Sequence, residues 1–387
     1  MILGGKEVFP ITLANGPPMA GKDPVTGRDA WGEVAGAGVK MLRVYPKWNA
    51  AAAAQQIQQV QAELSAAARH GLRLWVGLYN IANDLAHRPL LEQVVNGLKG
   101  SPGLGAWKGA DEPLHGEVPA PGLVLAYDFL HSLDPNHPLV IIQAPRAKDG
   151  PLTPALIVPY VGAADIHGVD IYPISHPTGT HAGPPNTDIS VVGDVTEIVV
   201  EATPKKEHWT TLQIAWSGVL PPAHVPIFPN LHQERFMAYQ AIVAGARGLA
   251  FFGGDITKVM SPRDAASGWN WTFWHTVLKH LVQELSSTAV GPALIAPPAS
   301  ISVKASAPDI RLVAREDDGF LYLITVRRSP TKSGPVRFTG LPAGIKFGQA
   351  LFEYDHENFR TVVVSRGAFI DPFAPHDARV YRFRLPA

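Results

Sequence analysis

The strongest fold signal in the chain is the stretch Leu104-Gly-Ala-Trp-Lys-Gly-Ala-Asp-Glu-Pro113. It is a short, mostly apolar run that ends in two adjacent carboxylates and a proline. A run with so little polar alternation is typical of a parallel strand covered on both faces, and Pro113 cannot donate to a ladder, so pairing should stop there. Asp111 and Glu112 are therefore expected at the carboxyl end of a buried strand, where parallel sheets collect ligands and catalytic groups. The competing interpretation is that both acids are solvated and cap the next helix.

The same alternation of apolar runs and helical patterns extends over residues 1–288. The most helix-like run goes from Asn49, a candidate cap, to His70, and Gly71 ends it. The predicted strands are 8–15, 39–46, 72–80, 104–111, 138–143, 165–172, 209–216 and 248–253. Helices are predicted at 49–70, 88–99, 123–133, 189–202, 234–246 and 269–285. Eight strands that alternate with helices in this way predict a closed (β/α)₈ barrel. A doubly wound sheet is the alternative, but no glycine-rich phosphate loop follows the first strand.

The pattern changes after residue 288. Residues 291–298 are rich in proline and alanine and indicate a linker. Short segments of period two follow, with turn residues between them, at 310–315, 320–327, 336–339, 349–354, 361–364 and 379–385. This pattern predicts a small antiparallel β-sandwich. We therefore divide the chain into a barrel, 1–288, and an accessory β-sandwich, 289–387, with sugar binding as a secondary possibility for the latter.

Composition limits the classes of partner. The chain has 387 residues, 46% of them hydrophobic, with Lys plus Arg equal to Asp plus Glu at 33 each and no cysteine. Balanced charge provides no basic field for nucleic acid or anionic lipid, and the absence of cysteine excludes disulfides and thiolate sites. The first residues lack a signal-peptide pattern, and no apolar run is long enough to span a membrane. We expect a cytoplasmic protein by default, or a secreted or periplasmic one if a signal has been removed.

Two segments resemble a known group of enzymes. Ser101-Pro-Gly-Leu-Gly-Ala-Trp-Lys-Gly-Ala-Asp-Glu-Pro113 is similar to the strand-four signature of the retaining (β/α)₈ glycoside hydrolases of clan A. The run 233–252 resembles the segment from helix seven to strand eight of beta-galactosidase-like barrel hydrolases, and with Gln213 the likeness covers most of residues 1–288. The resemblance implies a glycoside hydrolase acting on carbohydrate, with Glu112 as the general acid/base. It implies sugar contact for Asp111, which replaces the asparagine of the family pattern.

The chain departs from this family at strand seven. The family places its nucleophilic glutamate there, but residues 209–218 contain no acid. A glycosidase needs two carboxyl groups, about 5 Å apart if it retains configuration and about 6.5 to 9.5 Å apart if it inverts. The candidates for the second are Asp170, Asp111, Glu234 and Asp255. We favour Asp170 because it ends the sixth strand at the same barrel mouth. The structural alternative is a buried ion pair of Asp170 with Arg43 or another barrel cation.

Aromatic and polar residues in or after the predicted strands are candidate sugar contacts, since sugar rings stack on aromatic faces while their hydroxyls bind polar groups. We expect Glu112 to line the main pocket at the carboxyl end of the barrel. The predicted substrate-binding residues are Arg43, Tyr45, Tyr79, Trp107, Asp111, Tyr172, Gln213 and Trp216.

No metal or cofactor is predicted, because His167, His176 and His181 lack the spacing of a metal-ligand set. Two other functions compete with a glycosidase. One is a non-catalytic carbohydrate-binding barrel that has lost its strand-seven nucleophile, and the weaker one is a metal-dependent barrel hydrolase. The sequence leaves open the sugar, the linkage, the stereochemical course and the oligomeric state.

Overall fold

The structure is a computed structural model that describes residues 1–3, 5–174, 186–216, 227–352 and 359–386. Its strands are β1 (Ile2–Leu3), β2 (Lys6–Glu7), β3 (Ile11–Leu13), β4 (Met41–Val44), β5 (Arg73–Gly77), β6 (Leu104–Asp111), β7 (Leu139–Gln143), β8 (Ile166–Asp170), β9 (Glu207–Gln213), β10 (Gly248–Phe252), β11 (Lys304–Ala305), β12 (Ile310–Asp317), β13 (Phe320–Arg327), β14 (Gly334–Thr339), β15 (Phe347–Leu351), β16 (Arg360–Val363), β17 (Ala368–Phe373) and β18 (Ala378–Arg384). The α-helices are α1 (Ala30–Ala37), α2 (Ala53–Arg69), α3 (Arg88–Leu98), α4 (Ala120–Leu133), α5 (Pro154–Ile157), α6 (Val191–Ala202), α7 (Leu231–Val243), α8 (Pro262–Ala266), α9 (Trp271–Phe273), α10 (Lys279–Ser286) and α11 (Gly291–Ile295).

Strands β3 to β10 form a closed, all-parallel barrel in the order β10-β3-β4-β5-β6-β7-β8-β9. The predicted (β/α)₈ barrel is therefore confirmed, and each predicted strand overlaps one barrel strand. Apart from the first strand, the largest offsets at a strand start are at β4, which begins at Met41 rather than Val39, and at β9, which begins at Glu207 rather than Trp209. Alternate strand residues meet inside the barrel and form one apolar cluster: Met41, Trp75, Ala106, Val140, Ile142, Ile166, Trp209 and Ala250.

The sequence predicts the C-terminal end of α2 correctly but not its N-terminal end. Gly71 has φ +75° just after the helix, and its N–H donates to the Ala68 carbonyl at 3.1 Å, which closes the helix as predicted. The predicted cap at Asn49 is wrong. The helix begins at Ala53, and the Asn49 side chain accepts from the Ala51 N–H at 2.8 Å, so it closes a turn before the helix.

Helix α1, between β3 and β4, is not predicted by the sequence patterns. Two of its eight residues are glycines, which are poor helix formers. The Asp29 side chain caps it by accepting from the Gly32 N–H at 2.8 Å. Trp31 and Val34 are buried in the main hydrophobic cluster, so packing on the barrel stabilises a helix that propensity alone does not favour.

The C-terminal strands form two antiparallel sheets, which confirms the predicted sandwich. One has five strands in the order β12-β13-β18-β15-β16, and the other has three in the order β11-β14-β17. Strands β11 and β17 were not predicted. Strand β17 contains Pro372 and lies at the edge of its sheet, where a missing N–H is tolerated. Residues 353 and 354 of the predicted strand 349–354 lie outside the described residues.

The five-stranded sheet packs against the barrel through helix α7. Residues Tyr322, Ile324 and Val326 of β13 and Ala378 and Val380 of β18 belong to the same hydrophobic cluster as the barrel helices. The division of the chain at residue 288 stays a prediction. Across the described ranges, no helix combines the length and the apolar character that crossing a membrane requires.

Candidate active site

Asp111 and Glu112 lie at the carboxyl end of β6, as the sequence predicts. Glu112 has φ +46°, in the left-handed region that non-glycine residues seldom adopt. Its N–H still donates to the Ile142 carbonyl at 2.7 Å. The ladder therefore continues as far as Glu112, and the backbone turns sharply at this acid before Pro113. Strained backbone of this kind concentrates at functional sites.

A β-bulge in β6 determines which way the two acids face. Lys108 pairs with Val140 and Asp111 pairs with Ile142, so three steps along β6 match two steps along β7. Ala110 packs in a cluster with residues of α4, whereas Asp111 lines a cavity at the barrel mouth. Strict alternation from the inward-facing Ala106 would have placed Ala110 inside and Asp111 outside. The extra residue of the bulge thus brings Asp111 into the barrel.

Lys108 is fully buried beneath the cavity. Its Nζ lies 2.9 Å from Asp111 Oδ1 and donates to the Ala110 carbonyl at 2.7 Å and the Gly109 carbonyl at 3.2 Å. Burial alone would raise the pKa of Asp111, but Lys108 and Arg43 outweigh it, and the pKa of Asp111 is lowered. At the open mouth of the barrel, 47% of the Asp111 side chain remains accessible to solvent. The surrounding protein atoms still desolvate its carboxyl group in part. Asp111 is therefore an ionised group.

Asp170, at the end of β8, differs from Asp111 because its pKa is raised rather than lowered. It is only 8% exposed, Tyr172 Oη donates to its Oδ2 at 3.0 Å, and its Oδ1 has no hydrogen-bond partner among the described residues. Burial and the neighbouring carboxyl groups of Glu112 and Asp111 raise the pKa of Asp170 well above its usual range. The charge of the nearby Glu112 carboxyl group is, after burial, the largest cause of this shift. A carboxyl group with a raised pKa holds its proton to higher pH than an ordinary aspartate.

Arg43 closes the other side of this site. Its Nε donates to the Ala14 carbonyl at 3.0 Å, and its guanidinium carbon lies 3.9 Å from the centre of the Tyr45 ring. The structural alternative, an ion pair of Asp170 with Arg43 or another cation, is not formed within the described ranges: Asp170 Oδ1 has no partner and Oδ2 accepts from Tyr172 Oη. The cavity between these groups has a volume of about 180 Å³. Its lining residues are Arg43, Asp111, Glu112, Ile142, Asp170, Tyr172, Thr211, Trp216 and Phe252.

Six of the ten sequence-predicted site residues therefore line one cavity, and four do not. Tyr45 and Tyr79 stack on each other with ring centres 5.3 Å apart, behind Arg43. Trp107 is fully buried in the main hydrophobic cluster and donates from Nε1 to Asp134 Oδ2 at 2.9 Å, so it packs between barrel and helices rather than at the mouth. Gln213 bonds the backbone N–H and carbonyl of Ile174 and fixes the loop after β8.

The other candidates for the second carboxyl group lie outside this cavity. Glu234 is fully buried in α7, and neither of its oxygens has a partner in the described part of the chain. Asp255 is exposed and accepts from Asn15 Nδ2 at 3.1 Å. Of the histidines weighed above, His167 donates from Nε2 to the Val161 carbonyl, 3.2 Å away, and His176 and His181 lie outside the described residues.

The site residue that sequence reasoning missed is Lys108. A lysine in an otherwise apolar strand was the available signal, because a fully buried ammonium requires acidic or carbonyl partners. Thr211 and Phe252 give no comparable signal, since each is an ordinary strand residue. Gln143 was also missed, and its Oε1 accepts from the Leu114 N–H at 3.1 Å, which pins the loop after β6 as Gln213 pins the loop after β8.

A second cavity and a cluster of possible metal ligands lie away from this site. A larger cavity of about 490 Å³ lies at the amino end of the barrel, between the N-terminal hairpin and residues such as Trp209, so Glu112 does not line the largest cavity. Asp23, Glu33 and His275 lie close enough together to hold a cation. Lys279 Nζ already lies 2.6 Å from Glu33 Oε1, and His275 Nε2 lies 3.0 Å from Asp23, so protein groups satisfy this cluster.

The fold is shared with solved glycoside hydrolases. Similar structures include a glycoside hydrolase family 5 protein from Bacteroides vulgatus (13% identity, TM-score 0.66, 98% of this chain and 90% of that chain covered) and an alpha-amylase from Geobacillus thermoleovorans complexed with acarbose (8%, 0.60, 99% and 100%). A GH30 endoxylanase from Clostridium papyrosolvens is similar as well (10%, 0.53, 98% and 97%). No protein-family model and no curated protein matches the chain. The chain thus has the (β/α)₈ glycoside hydrolase fold that the sequence resemblance implies.

Proposed function

We propose that this protein is a glycoside hydrolase that cleaves a glycosidic bond of an oligo- or polysaccharide, with Glu112 and Asp170 as its catalytic carboxyl groups. The observation that carries the proposal is their pairing: two interacting carboxyl groups face one open cavity at the carboxyl end of the barrel. Two carboxyl groups are what glycosidic bond cleavage requires. The similar structures include an endoxylanase and an alpha-amylase, which supports a carbohydrate substrate.

The charge balance of the site supports a pair that shares one proton. Three carboxyl groups, Asp111, Glu112 and Asp170, face two buried cations, Arg43 and Lys108. One proton makes this group neutral. Because the pKa of Asp170 is raised by burial and by its acidic neighbours, the proton rests on Asp170. We therefore assign Asp170 as the general acid and Glu112 as the nucleophile, which reverses the roles that the resemblance implies.

The proximity of the two carboxyl groups in one cavity favours a retaining course. An inverting enzyme keeps them about 6.5 to 9.5 Å apart so that a water fits between acid and base, whereas a retaining pair is about 5 to 5.5 Å apart. Asp170 and Glu112 are close enough for the charge of Glu112 to raise the pKa of Asp170, which fits the shorter separation. In the first step Glu112 bonds to the anomeric carbon while Asp170 gives its proton to the departing oxygen. In the second step Asp170 takes a proton from water, whose oxygen displaces Glu112.

The dimensions of the cavity favour a single sugar unit. Its volume of about 180 Å³, as bounded by the described residues, is below the roughly 300 to 1,000 Å³ of pockets for larger ligands. Tyr172 and Trp216 supply aromatic faces for the C–H surface of a sugar ring. Arg43 and Asp111 supply a donor and an acceptor for its hydroxyls. We assign the cavity to the terminal sugar of the substrate.

Two variants on two kinds of substrate test the proposal. With natural glycosides, Asp170→Asn should lower kcat by about 10² to 10⁴, the contribution of general acid catalysis. With aryl glycosides whose leaving group needs no protonation, Asp170→Asn should form the glycosyl-enzyme at near the wild-type rate, seen as a burst of phenol. Glu112→Gln should be inactive on both substrates, because it cannot form that intermediate.

Asp255→Asn is the matched control, since Asp255 is an exposed acid at the same barrel end but outside the cavity. It should keep wild-type activity. Unchanged activity of both cavity variants on glycosides that the wild-type protein cleaves would remove Glu112 and Asp170 from the mechanism. Saturable binding of sugars by the wild-type protein, with no turnover of any glycoside, would instead favour the carbohydrate-binding barrel.

A further inference from the structure

Lys108 is a charged side chain that has no contact with solvent. It is 0% exposed, and its Nζ lies 5.9 Å from the centre of the Trp75 ring. An ammonium carries three donor hydrogens. The three acceptors around it are the carbonyls of Gly109 and Ala110 and the carboxylate of Asp111. Each donor of Lys108 therefore has an acceptor, which an ammonium buried this deeply requires.

Two of these acceptors belong to the bulge itself. Gly109 and Ala110 are the residues between the two ladder pairs where the register of β6 shifts against β7. A bulge leaves backbone groups unpaired with the neighbouring strand. Lys108 supplies the donors for the Gly109 and Ala110 carbonyls, and the same ammonium holds Asp111 on the inner side. The lysine thus stabilises the backbone geometry that turns the Asp-Glu pair into the barrel.

The charged and titratable groups around the catalytic pair come from four strands or their ends. Asp170 faces Glu112, Asp111 and Lys108 from β6, Arg43 from β4 and Tyr172 from its own loop. Tyr79, after β5, faces Asp111 and Arg43. Thr211 and Ile142, from β9 and β7, line the cavity without charge. Lys108 and Arg43 are the cations in this set of described residues.

We propose that Lys108 is a positioning residue that fixes the β6 bulge and supplies the positive charge that leaves the Glu112–Asp170 pair with a single proton. The proposal deepens the function proposed above and rests on it for the meaning of that proton. Lys108 acts through Asp111 and the bulge and touches no reacting atom. Without its charge, the site would hold one cation against three carboxyl groups, so each carboxyl would bind protons more tightly.

The test is the pH dependence of kcat/KM in Lys108→Met, which keeps a long apolar side chain without charge. Both limbs of the bell-shaped profile should move to higher pH, by about one unit or more, the size of effect that a nearby charge has on a carboxyl group. Asp111→Asn should move them to lower pH, because it removes a negative charge. Lys206→Met is the matched control: Lys206 also donates to a buried backbone carbonyl, that of Ala164 at 2.7 Å, but outside the cavity. Its profile should match the wild type.

A second readout does not depend on activity. The infrared C=O band of protonated Asp170, identified by its loss in Asp170→Asn, should persist to higher pH in Lys108→Met than in the wild type. If the glycosidase proposal fails, this titration still tests Lys108. If Lys108→Met does not fold, as judged by circular dichroism, Lys108→Gln retains hydrogen-bond donors without the charge and should show the same shift. An unchanged pH profile and an unchanged infrared titration in a folded variant would overturn the proposal.

Discussion

Asp170 and Glu234 are two carboxyl groups that folding removes from water. Asp170 is 8% exposed and Glu234 is fully buried, and burial is the main cause of the raised pKa of each. An acid whose pKa is higher in the folded than in the unfolded state binds its proton more tightly when folded. Its contribution to stability is complete below the unfolded pKa, about 4, and is lost as the pH rises towards the folded pKa. Both residues therefore make the wild-type protein less stable with rising pH.

The substitutions Asp170→Asn and Glu234→Gln replace each acid by a neutral amide and should remove this loss of stability at higher pH. Each variant should gain free energy of unfolding relative to wild type, growing by about 1.4 kcal/mol for each pH unit between the unfolded and folded pKa. Urea denaturation at several pH values from about 4 upwards measures it. The two serve as controls for each other, since Asp170→Asn should lose activity on natural glycosides and Glu234→Gln should keep it. A gain that is the same at every pH would contradict the assignment of raised pKa values.

At the residue scale, the acids of the site could be predicted from the sequence, but the directions of the side chains could not. Asp111, Glu112 and Asp170 were predictable because each ends an apolar run shortly before a proline. Trp107 follows the inward-facing Ala106 and so points to the helices, away from the cavity, a direction that its place in an apolar run did not reveal. The inward direction of Asp111 depends on a bulge that alternation along one strand cannot reveal, since the bulge is defined by pairing with β7. The roles of Glu112 and Asp170 depend on burial and proximity, which also appear only in three dimensions.

At the element scale, the carboxyl ends of β9 and β10 approach so closely that they require a glycine. Gly253, just after β10, has φ +95°, and a Cβ there would lie 1.8 Å from the Ala215 carbonyl oxygen. Gly253→Ala should therefore cost more than the roughly 1 to 2 kcal/mol of a left-handed alanine. It should also lower kcat/KM, because Trp216 and Phe252 on these two segments line the cavity. Urea denaturation and steady-state kinetics measure the two effects.

Gly71→Ala is the control for backbone conformation alone. Gly71 has φ +75° after α2, and a Cβ there would have no neighbour within 4 Å. That variant should lose about 1 to 2 kcal/mol and retain its activity. Equal losses of stability in the two variants, with activity retained in both, would show that the contact with Ala215 is unimportant.

The elements that the sequence missed share a physical cause. All eight barrel strands were predictable because parallel strands covered on both faces give continuous apolar runs. Helix α1 has a poor intrinsic propensity, and β17 contains Pro372. In both, tertiary contacts outweigh local preference: Trp31 and Val34 pack on the barrel, and Phe369 and Phe373 pack in the sandwich core. A pattern read along one segment does not contain those contacts.

At the scale of the whole molecule, a buried ion pair joins the barrel helices to the sandwich. Arg235 of α7 binds Glu284 of α10 with Nε–Oε2 and Nη2–Oε1 distances of 2.8 Å, and Tyr239 Oη donates to Glu284 Oε1 at 2.7 Å. Arg235 also donates from Nη1 to the Ala378 carbonyl of β18 and from Nη2 to the Phe352 carbonyl after β15. The side chains of Arg235 and Glu284 are 8% and 7% exposed. One guanidinium therefore links two barrel helices to the five-stranded sheet.

Removing Arg235 should destabilise the protein strongly and weaken the attachment of the sandwich. Arg235→Met leaves Glu284 as an uncompensated buried charge and leaves two sandwich carbonyls without their donor, and breaking such a pair costs about 3 to 5 kcal/mol. Calorimetry should show the main transition at lower temperature, with a separate, earlier transition for the sandwich.

The double variant Arg235→Met, Glu284→Met should recover part of the loss, because no unpaired charge remains. Lys148→Met breaks the exposed pair with Glu117 and should cost no more than about 1 kcal/mol. A loss in Arg235→Met as small as that of Lys148→Met, with a single unchanged transition, would show that the ion pair does not hold the two parts together.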